Sequence, residues 1–195
     1  MKIALVTPAR PVARSGNRNT AVRWATLLRE LGHRVRVQTA WDGKPADAMI
    51  ALHARRSYDS IDRFAAAYPR RPLLVMLTGT DLYHDIHIDA DAKRSLQLAT
   101  RLIVLQELGP LELPPRQRAK TRVIYQSTQP PKPQRPLSSR FEVCVSGHLR
   151  DVKDPFRLAA ALPHLPPASR VRAVQIGGAM NASTVSRIPM DQYSS

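Results

Sequence analysis

The opening stretch "MKIALVTP", residues 1–8, decides the fold class of the chain. Its apolar run from Ile3 to Val6 is uninterrupted, which is typical of a strand covered on both faces of a sheet. The run ends at Pro8 and is shorter than the apolar region of a signal peptide. Every apolar run in the chain is much shorter than the length of about 18 residues that is needed to cross a bilayer. We therefore expect a cytoplasmic protein without membrane insertion.

Outward from this strand, strands and helices alternate along the first 125 residues. Trp24, Leu27, Leu28 and Leu31 recur at helical spacing, and Gly32 is placed to end that helix. Further strands are predicted in "HRVRVQT" (33–39), "DAMIALH" (47–53), "PLLVMLTGTD" (72–81), "RLIVLQ" (101–106) and "TRVIYQ" (121–126), with helices after Ser57 and from Ala90 to Thr100. This alternation predicts an α/β fold whose parallel sheet carries helices on both faces.

The composition is that of a globular protein with an excess of positive charge. The 195 residues are 43% hydrophobic and include 30 Lys and Arg against 15 Asp and Glu, a net charge of +15. The charge predicts an anionic ligand. It is scattered along the chain, and aromatic residues are few, so we do not expect nucleic-acid binding. The single cysteine, Cys144, is predicted to be a small buried residue of a strand.

The chain changes character at "QSTQPPKPQRPLSSR" (126–140), which is predicted to be a semi-rigid linker. After it we predict a strand over 141–145, a helix from Pro155 through Leu162 and a strand from Arg170 to Ile176. One such unit, residues 141–178, cannot bury both faces of a sheet, so we expect an incomplete second domain. Residues 179–195 lack any period, and we expect a truncated or frame-shifted end or, alternatively, a natural flexible tail.

Ligands of parallel sheets bind at the carboxyl ends of the strands, so the polar residues that follow each strand are the candidate site residues. They are Gly16, Asn17, His53, Arg55, Arg56, Thr78, Gly79, Thr80, Asp81 and Gln106. Both His53 and Asp81 are candidate catalytic residues: His53 for orienting a ligand or stabilising charge, and Asp81 for acting as a base or orienting a ligand hydroxyl. The alternatives are a histidine packed behind the sheet edge, an aspartate that caps a turn, and an arginine pair that is only solvated.

A basic loop, "SGHLRDVKDP" (146–155), joins the predicted strand and helix of the second part. Its Gly147, His148, Arg150 and Lys153 form a candidate diphosphate site, because Arg and Lys bind phosphate strongly and the loop leads into a helix start. The alternative is a solvated loop neutralised by Asp151 and Asp154. The chain has no Gly-x-Gly-x-x-Gly, P-loop or metal-ligand cluster, so we predict neither a metal nor a cofactor.

Two Rossmann-like halves joined by a linker, with Gly-x-Leu-x-x-x-Lys at residues 147–153 opening the second half, resemble retaining glycosyltransferases of the GT-B architecture. That architecture has two Rossmann-like domains. The resemblance implies that a basic pair holds the diphosphate of a nucleotide-sugar donor. Lys153 stands where the family lysine stands, whereas the family arginine is replaced by His148, with Arg150 two positions later. Gly16 and Asn17 resemble the family loop that closes on the donor phosphates.

The resemblance narrows to the selenosugar synthases of selenoneine biosynthesis, the SenB type. It is carried by "WDGKPADAMIALHARRS" (41–57), "LTGTDLYHDI" (77–86), "ATRLIVLQELG" (99–109), "RVIYQS" (122–127) and "GHLRDVKDP" (147–155). It implies transfer of a sugar from a UDP-sugar to selenophosphate, which forms a carbon–selenium bond and releases UDP. The acceptor anion is then expected at Arg55, Arg56 and residues 78–80. The alternatives are a GT-B transferase for a lipid or cell-envelope acceptor and a non-catalytic binding fragment.

Overall fold

The computed structural model describes residues 1–12, 15–130, 132, 135, 139–150 and 153–178. The chain forms two compact units, Met1–Pro130 and Pro131–Ser195. The division falls inside the predicted linker, so the first linker residues belong to the first unit. One of them, Gln126, donates from Nε2 to Thr20 Oγ1 at 3.0 Å. The predicted tail, parts of the linker and Asp151 lie outside the described residues.

The first unit is an α/β domain built on one parallel sheet of six strands in the order β2-β1-β3-β4-β5-β6. The strands are β1 (Lys2–Val6), β2 (Arg34–Gln38), β3 (Ala48–Leu52), β4 (Leu73–Met76), β5 (Arg101–Val104) and β6 (Thr121–Val123). The helices are α1 (Gly16–Glu30), α2 (Tyr58–Ala67), α3 (Ile86–Ile88), α4 (Ala90–Leu98) and α5 (Pro115–Arg118), with a π-helical turn over Asp81–Asp85 and a 3-10 turn over Gly109–Glu112. The predicted α/β class is confirmed, and the sheet is Rossmann-like.

Two hydrophobic cores lie on opposite faces of this sheet. Alternate residues of β1 enter different cores: Ala4 packs in the one that contains Phe64 of α2, and Leu5 in the one that contains Ala25 of α1. A strand whose two sides both face a core has no polar side, which explains the uninterrupted apolar run of β1. In β2, at the edge of the sheet, Val35 is buried between two exposed arginines.

Helices in the described part of the chain are all too short or too polar to cross a membrane.

The second unit pairs β7 (Phe141–Ser146) with β8 (Val171–Ile176) in parallel, and between them lie α6 (Arg157–Ala161) and a 3-10 turn over Leu162–His164. The helix starts two residues later than predicted, because Asp154 has a φ of 45° and residues 155–156 form a turn. None of the strand residues is fully buried.

The prediction that Cys144 is buried was wrong, since its thiol is exposed. Its neighbours Val143 and Val145 are half-buried and lie on the other side of the strand. Among the described residues this sheet has two strands and one short α-helix, so only one of its faces is covered.

Candidate functional site

His53 directly follows β3 and has a backbone conformation that is rare outside glycine. Its φ is +74°, and the residue is only 3% exposed. Its N–H donates to the Met76 carbonyl at 2.9 Å, and its own carbonyl accepts from Ser57 N–H at 3.1 Å. The sheet and the start of α2 therefore fix the residue from both sides. Strained positions of this kind cluster at functional sites of proteins.

The carboxylate of Asp81 joins the loops that follow β3 and β4. Its Oδ1 accepts from the N–H groups of Thr78 and Gly79, both at 2.9 Å, and its Oδ2 accepts from Ala54 N–H at 3.0 Å. The Ala54 carbonyl in turn accepts from Ser95 Oγ at 2.7 Å. Asp81 is fully buried, and both of its carboxylate oxygens accept hydrogen bonds from backbone N–H groups. These contacts are those of a turn cap, and catalysis by Asp81 stays a prediction.

The imidazole of His53 lies between two carboxylates and a hydroxyl. Nδ1 accepts from Arg56 N–H at 3.4 Å, and Nε2 is 3.4 Å from Thr80 Oγ1. Asp81 and Asp85 are each 3.9 Å from one ring nitrogen. Burial lowers the pKa of His53 below its ordinary value, and Arg56 adds to the lowering, although Asp81 opposes it. The lowered pKa favours the neutral form of the ring, in which Nδ1 can accept from Arg56 N–H when the ring proton is on Nε2.

Asp85, at the end of the π-helical turn, holds an arginine of the β3 loop. Arg55 Nε donates to Asp85 Oδ2 at 2.9 Å, and His84 Nδ1 is 3.2 Å from Asp85 Oδ1. Although burial alone would raise the pKa of Asp85, the hydrogen bonds from His84 and Arg55 hold it below its ordinary value. Sequence reasoning missed Asp85 and His84. The one available signal was that "DLYHD" places Asp81 and Asp85 four residues apart after a strand.

Residues 78–80 form the surface beside this cluster. Thr78 and Gly79 are half-buried, and Thr80 is exposed. Gly79 has a φ of +154°, which lets the chain turn so that its N–H points at Asp81 while its carbonyl accepts from Leu82 and Tyr83. The structure thus gathers the predicted residues His53, Arg55, Arg56 and 78–81 at the carboxyl ends of β3 and β4.

Gly16 and Asn17 lie at the start of α1, after β1, the strand next to β3 in the sheet. Ser15 caps the helix by accepting from Arg18 N–H at 3.3 Å. The first turn of α1 contains no acidic residue, which keeps it favourable for an anion. Both residues lie at the same edge of the sheet as His53.

The remaining predicted residues, Gly147, His148, Arg150 and Lys153, belong to the second unit. Gly147 N–H donates to the Ile176 carbonyl at 2.8 Å, and Lys153 N–H donates to the Arg150 carbonyl at 2.8 Å. The side chains of Arg150 and Lys153 are exposed. Asp154, one of the two acids expected to neutralise the loop, forms an ion pair with Arg157 of α6.

An apolar groove of about 270 Å³ borders this loop. Its lining includes Val145, Leu149, Phe156, Leu158 and Val174. The second unit thus combines exposed cations with an adjoining apolar recess, the two kinds of surface that suit the phosphates and the base of a nucleotide. Among the described residues, no group of three or more His, Cys, Asp or Glu side chains is arranged to hold a metal ion.

The chain matches no protein-family model, and a search of curated proteins finds no match to it.

Proposed function

We propose that the chain is a glycosyltransferase of the GT-B type, in which the first unit binds the acceptor and the second holds the donor diphosphate. The observation that carries the proposal is the preformed site at the carboxyl ends of β3 and β4, where the exposed side chains of Arg55 and Arg56 adjoin buried carboxylates. There Arg55 is held by the buried Asp85, beside a buried, strained His53. This is the edge at which Rossmann-like sheets bind ligands. We interpret the second unit as Rossmann-like.

The acceptor that we propose is selenophosphate, a small oxyanion that an arginine fork can bind through two parallel hydrogen bonds. Selenium attacks the anomeric carbon of the sugar, and a carbon–selenium bond forms. The bond from that carbon to the diphosphate oxygen breaks, and its electron pair leaves with UDP. A selenium anion is already a strong nucleophile, so no base is required, in agreement with the occupation of both Asp81 oxygens by backbone donors.

The leaving diphosphate gains negative charge, and the proposal assigns its stabilisation to Arg150 and Lys153. His148 is a third candidate in the same loop. The apolar groove beside the loop is proposed to take the uracil ring. Its volume of about 270 Å³ suits a ring better than a whole nucleotide-sugar. No metal is needed in this scheme.

The proposal is tested by release of UDP from UDP-sugars in the presence of selenophosphate. Changing both Arg55 and Arg56 to Gln is expected to raise the KM for selenophosphate about tenfold or more while the KM for the donor changes little. Changing Arg150 and Lys153 to Gln should weaken UDP binding instead. Changing the exposed Arg70 and Arg94 to Gln controls for the loss of two positive charges. Equal effects of the Arg55 and Arg56 changes on both substrates would reject the assignment.

A second candidate is a GT-B transferase with a lipid or cell-envelope acceptor. It is favoured by exposed apolar side chains at the same edge of the sheet: Tyr83, Leu108 and Leu111. Gln106 Nε2 donates to Tyr83 OH at 2.9 Å and so links the loops after β4 and β5. Sedimentation with liposomes at physiological salt separates the candidates, because only the lipid enzyme should pellet. Binding of UDP without any turnover would indicate the non-catalytic alternative.

A further inference from the structure

Two adjacent arginines follow β3, but they are held differently. Arg55 donates from Nε to a carboxylate oxygen of Asp85 at 2.9 Å. Within the residues that the structure describes, Arg56 forms no side-chain hydrogen bond or ion pair, and its contact with His53 comes from its backbone N–H. The two side chains carry the same charge, so any difference in ligand binding would come from how they are held.

Asp85 is well suited to fix the plane of a guanidinium. Its side chain is 6% exposed, whereas that of Arg55 is 45% exposed, so the pair connects the interior to the surface. One oxygen accepts from Arg55 and the other from His84, at 3.2 Å, which opposes rotation of the carboxylate. A guanidinium has five N–H donors in a rigid plane. Because Asp85 uses only the Nε–H, the four N–H groups of the terminal nitrogens remain for a ligand.

We infer that Asp85 is a positioning residue that orients the terminal nitrogens of Arg55 toward a phosphate-type oxyanion, so that Arg55, and not Arg56, holds the acceptor. The inference rests on the proposed function for its choice of ligand class. An arginine already held in one plane loses little conformational entropy when it binds an anion, whereas a freely rotating one loses more. Burying a carboxylate is costly unless it is paired, and the pairing with Arg55 offsets that cost for Asp85.

The test is calorimetric titration of the full chain with inorganic phosphate, a stable stand-in for the acceptor. Arg55→Gln is expected to weaken phosphate binding about tenfold or more, and Arg56→Gln less than about threefold. The two variants are matched, since they remove the same charge from neighbouring positions of one loop. Similar weakening by both would overturn the inference.

Asp85→Asn tests the positioning step itself. An amide offers one acceptor where two donors now meet the carboxylate, so we expect about tenfold weaker phosphate binding with Arg55 intact. We also expect the Nε–H resonance of Arg55 to shift in the NMR spectrum. Asp59→Asn is the matched control, because Asp59 accepts from Arg63 Nε at 3.0 Å on the exposed side of α2. Unchanged phosphate affinity in folded Asp85→Asn would overturn the inference.

His84→Gln covers the case in which Asp85→Asn does not fold, because the His84 side chain is 67% exposed. It should weaken phosphate binding less than Asp85→Asn but in the same direction, and no weakening would count against the inference. Failure of the wild-type chain to bind phosphate would overturn the inference, and turnover of UDP-sugar in that protein would leave the glycosyltransferase proposal standing. The expected phosphate pattern in a chain that binds no UDP would instead support the inference and count against the glycosyltransferase proposal.

Discussion

His53 combines two unfavourable features, a left-handed backbone and a buried ring between two carboxylates. A non-glycine residue in this region costs free energy, which the surroundings must offset. The hydrogen bonds from its backbone to Met76 and Ser57 provide part of that offset. Asparagine is the substitution best suited to separate the two features, because it tolerates the left-handed region and has no titratable group.

The His53→Asn variant should depend less on pH for its stability than the wild type. Because burial lowers the pKa of His53 in the folded state, the unfolded state takes up a proton first as the pH falls through the ordinary value of 6.5. This contribution to the wild-type stability is therefore fully present above pH 6.5 and declines below it. Urea unfolding between about pH 7.5 and about pH 5 should show a shallower decline for the variant.

Both tryptophans, Trp24 and Trp41, lie in the first unit, so their fluorescence follows the unfolding of that unit. His164→Asn, at an exposed histidine of the second unit, is the control and should leave the pH dependence of this signal unchanged. A decline in His53→Asn as steep as that of the wild type would show that the His53 ring is not shielded from protonation.

At the scale of elements, the loops after β3 and β4 act as one unit because Asp81 bonds to both. Asp81→Asn replaces an oxygen with an N–H₂ group that cannot accept, so at least one buried backbone N–H loses its partner. We expect the free energy of unfolding of the first unit to fall by about 1–3 kcal/mol. Urea unfolding followed by tryptophan fluorescence measures it.

Asp89→Asn is the matched control for Asp81. Asp89 caps α4 by accepting from Ala92 N–H at 2.8 Å, and asparagine is an equally good cap, so little stability should be lost. Activity of folded Asp81→Asn close to that of the wild type would support a positioning role. Full stability together with lost activity would instead support the catalytic role predicted from the sequence.

The sheet and the main helices could be predicted because their signals are local. Apolar runs mark the strands, and Gly32, with a φ of 82°, ends α1 where the sequence indicates. The π-helical turn over Asp81–Asp85 has no such signal, since five residues are too few to show a period. The pairing of Arg55 with Asp85 spans 30 residues and depends on the order of the strands, which the sequence does not reveal.

The wrong prediction that Cys144 is buried has a cause that lies outside the strand itself. The apolar residues around Cys144 correctly indicate a strand. Burial of both sides of that strand also requires helices or another sheet packed on both faces of its sheet. In the described residues only α6 and a 3-10 turn connect the two strands. An apolar run that is fully buried in β3 is therefore only partly buried in β7.

At the scale of the whole molecule, part of the net charge of +15 has structural uses. Arg29 donates to the Val35 carbonyl at 2.8 Å, Arg71 to the Ala46 carbonyl at 2.6 Å, and Lys120 to the Ala99 carbonyl at 2.5 Å. Charged donors make strong hydrogen bonds to carbonyl oxygens, so these side chains stabilise the fold. Burial lowers the pKa of Lys120, and Arg101 adds to the lowering. A basic composition therefore does not by itself require a nucleic-acid partner.

The proposed assignment of acceptor binding to the first unit and donor binding to the second leads to a prediction about a fragment. Both hydrophobic cores consist entirely of residues of Met1–Pro130, so this fragment should fold without the rest of the chain. It should bind inorganic phosphate as the full chain does, because Arg55 and Asp85 are both present. It should not bind UDP, because Arg150 and Lys153 are absent. Calorimetry on the fragment, the full chain and full-length Lys153→Gln measures the affinities for phosphate and for UDP. Undiminished UDP binding by the fragment would show that the diphosphate site does not lie in the second unit.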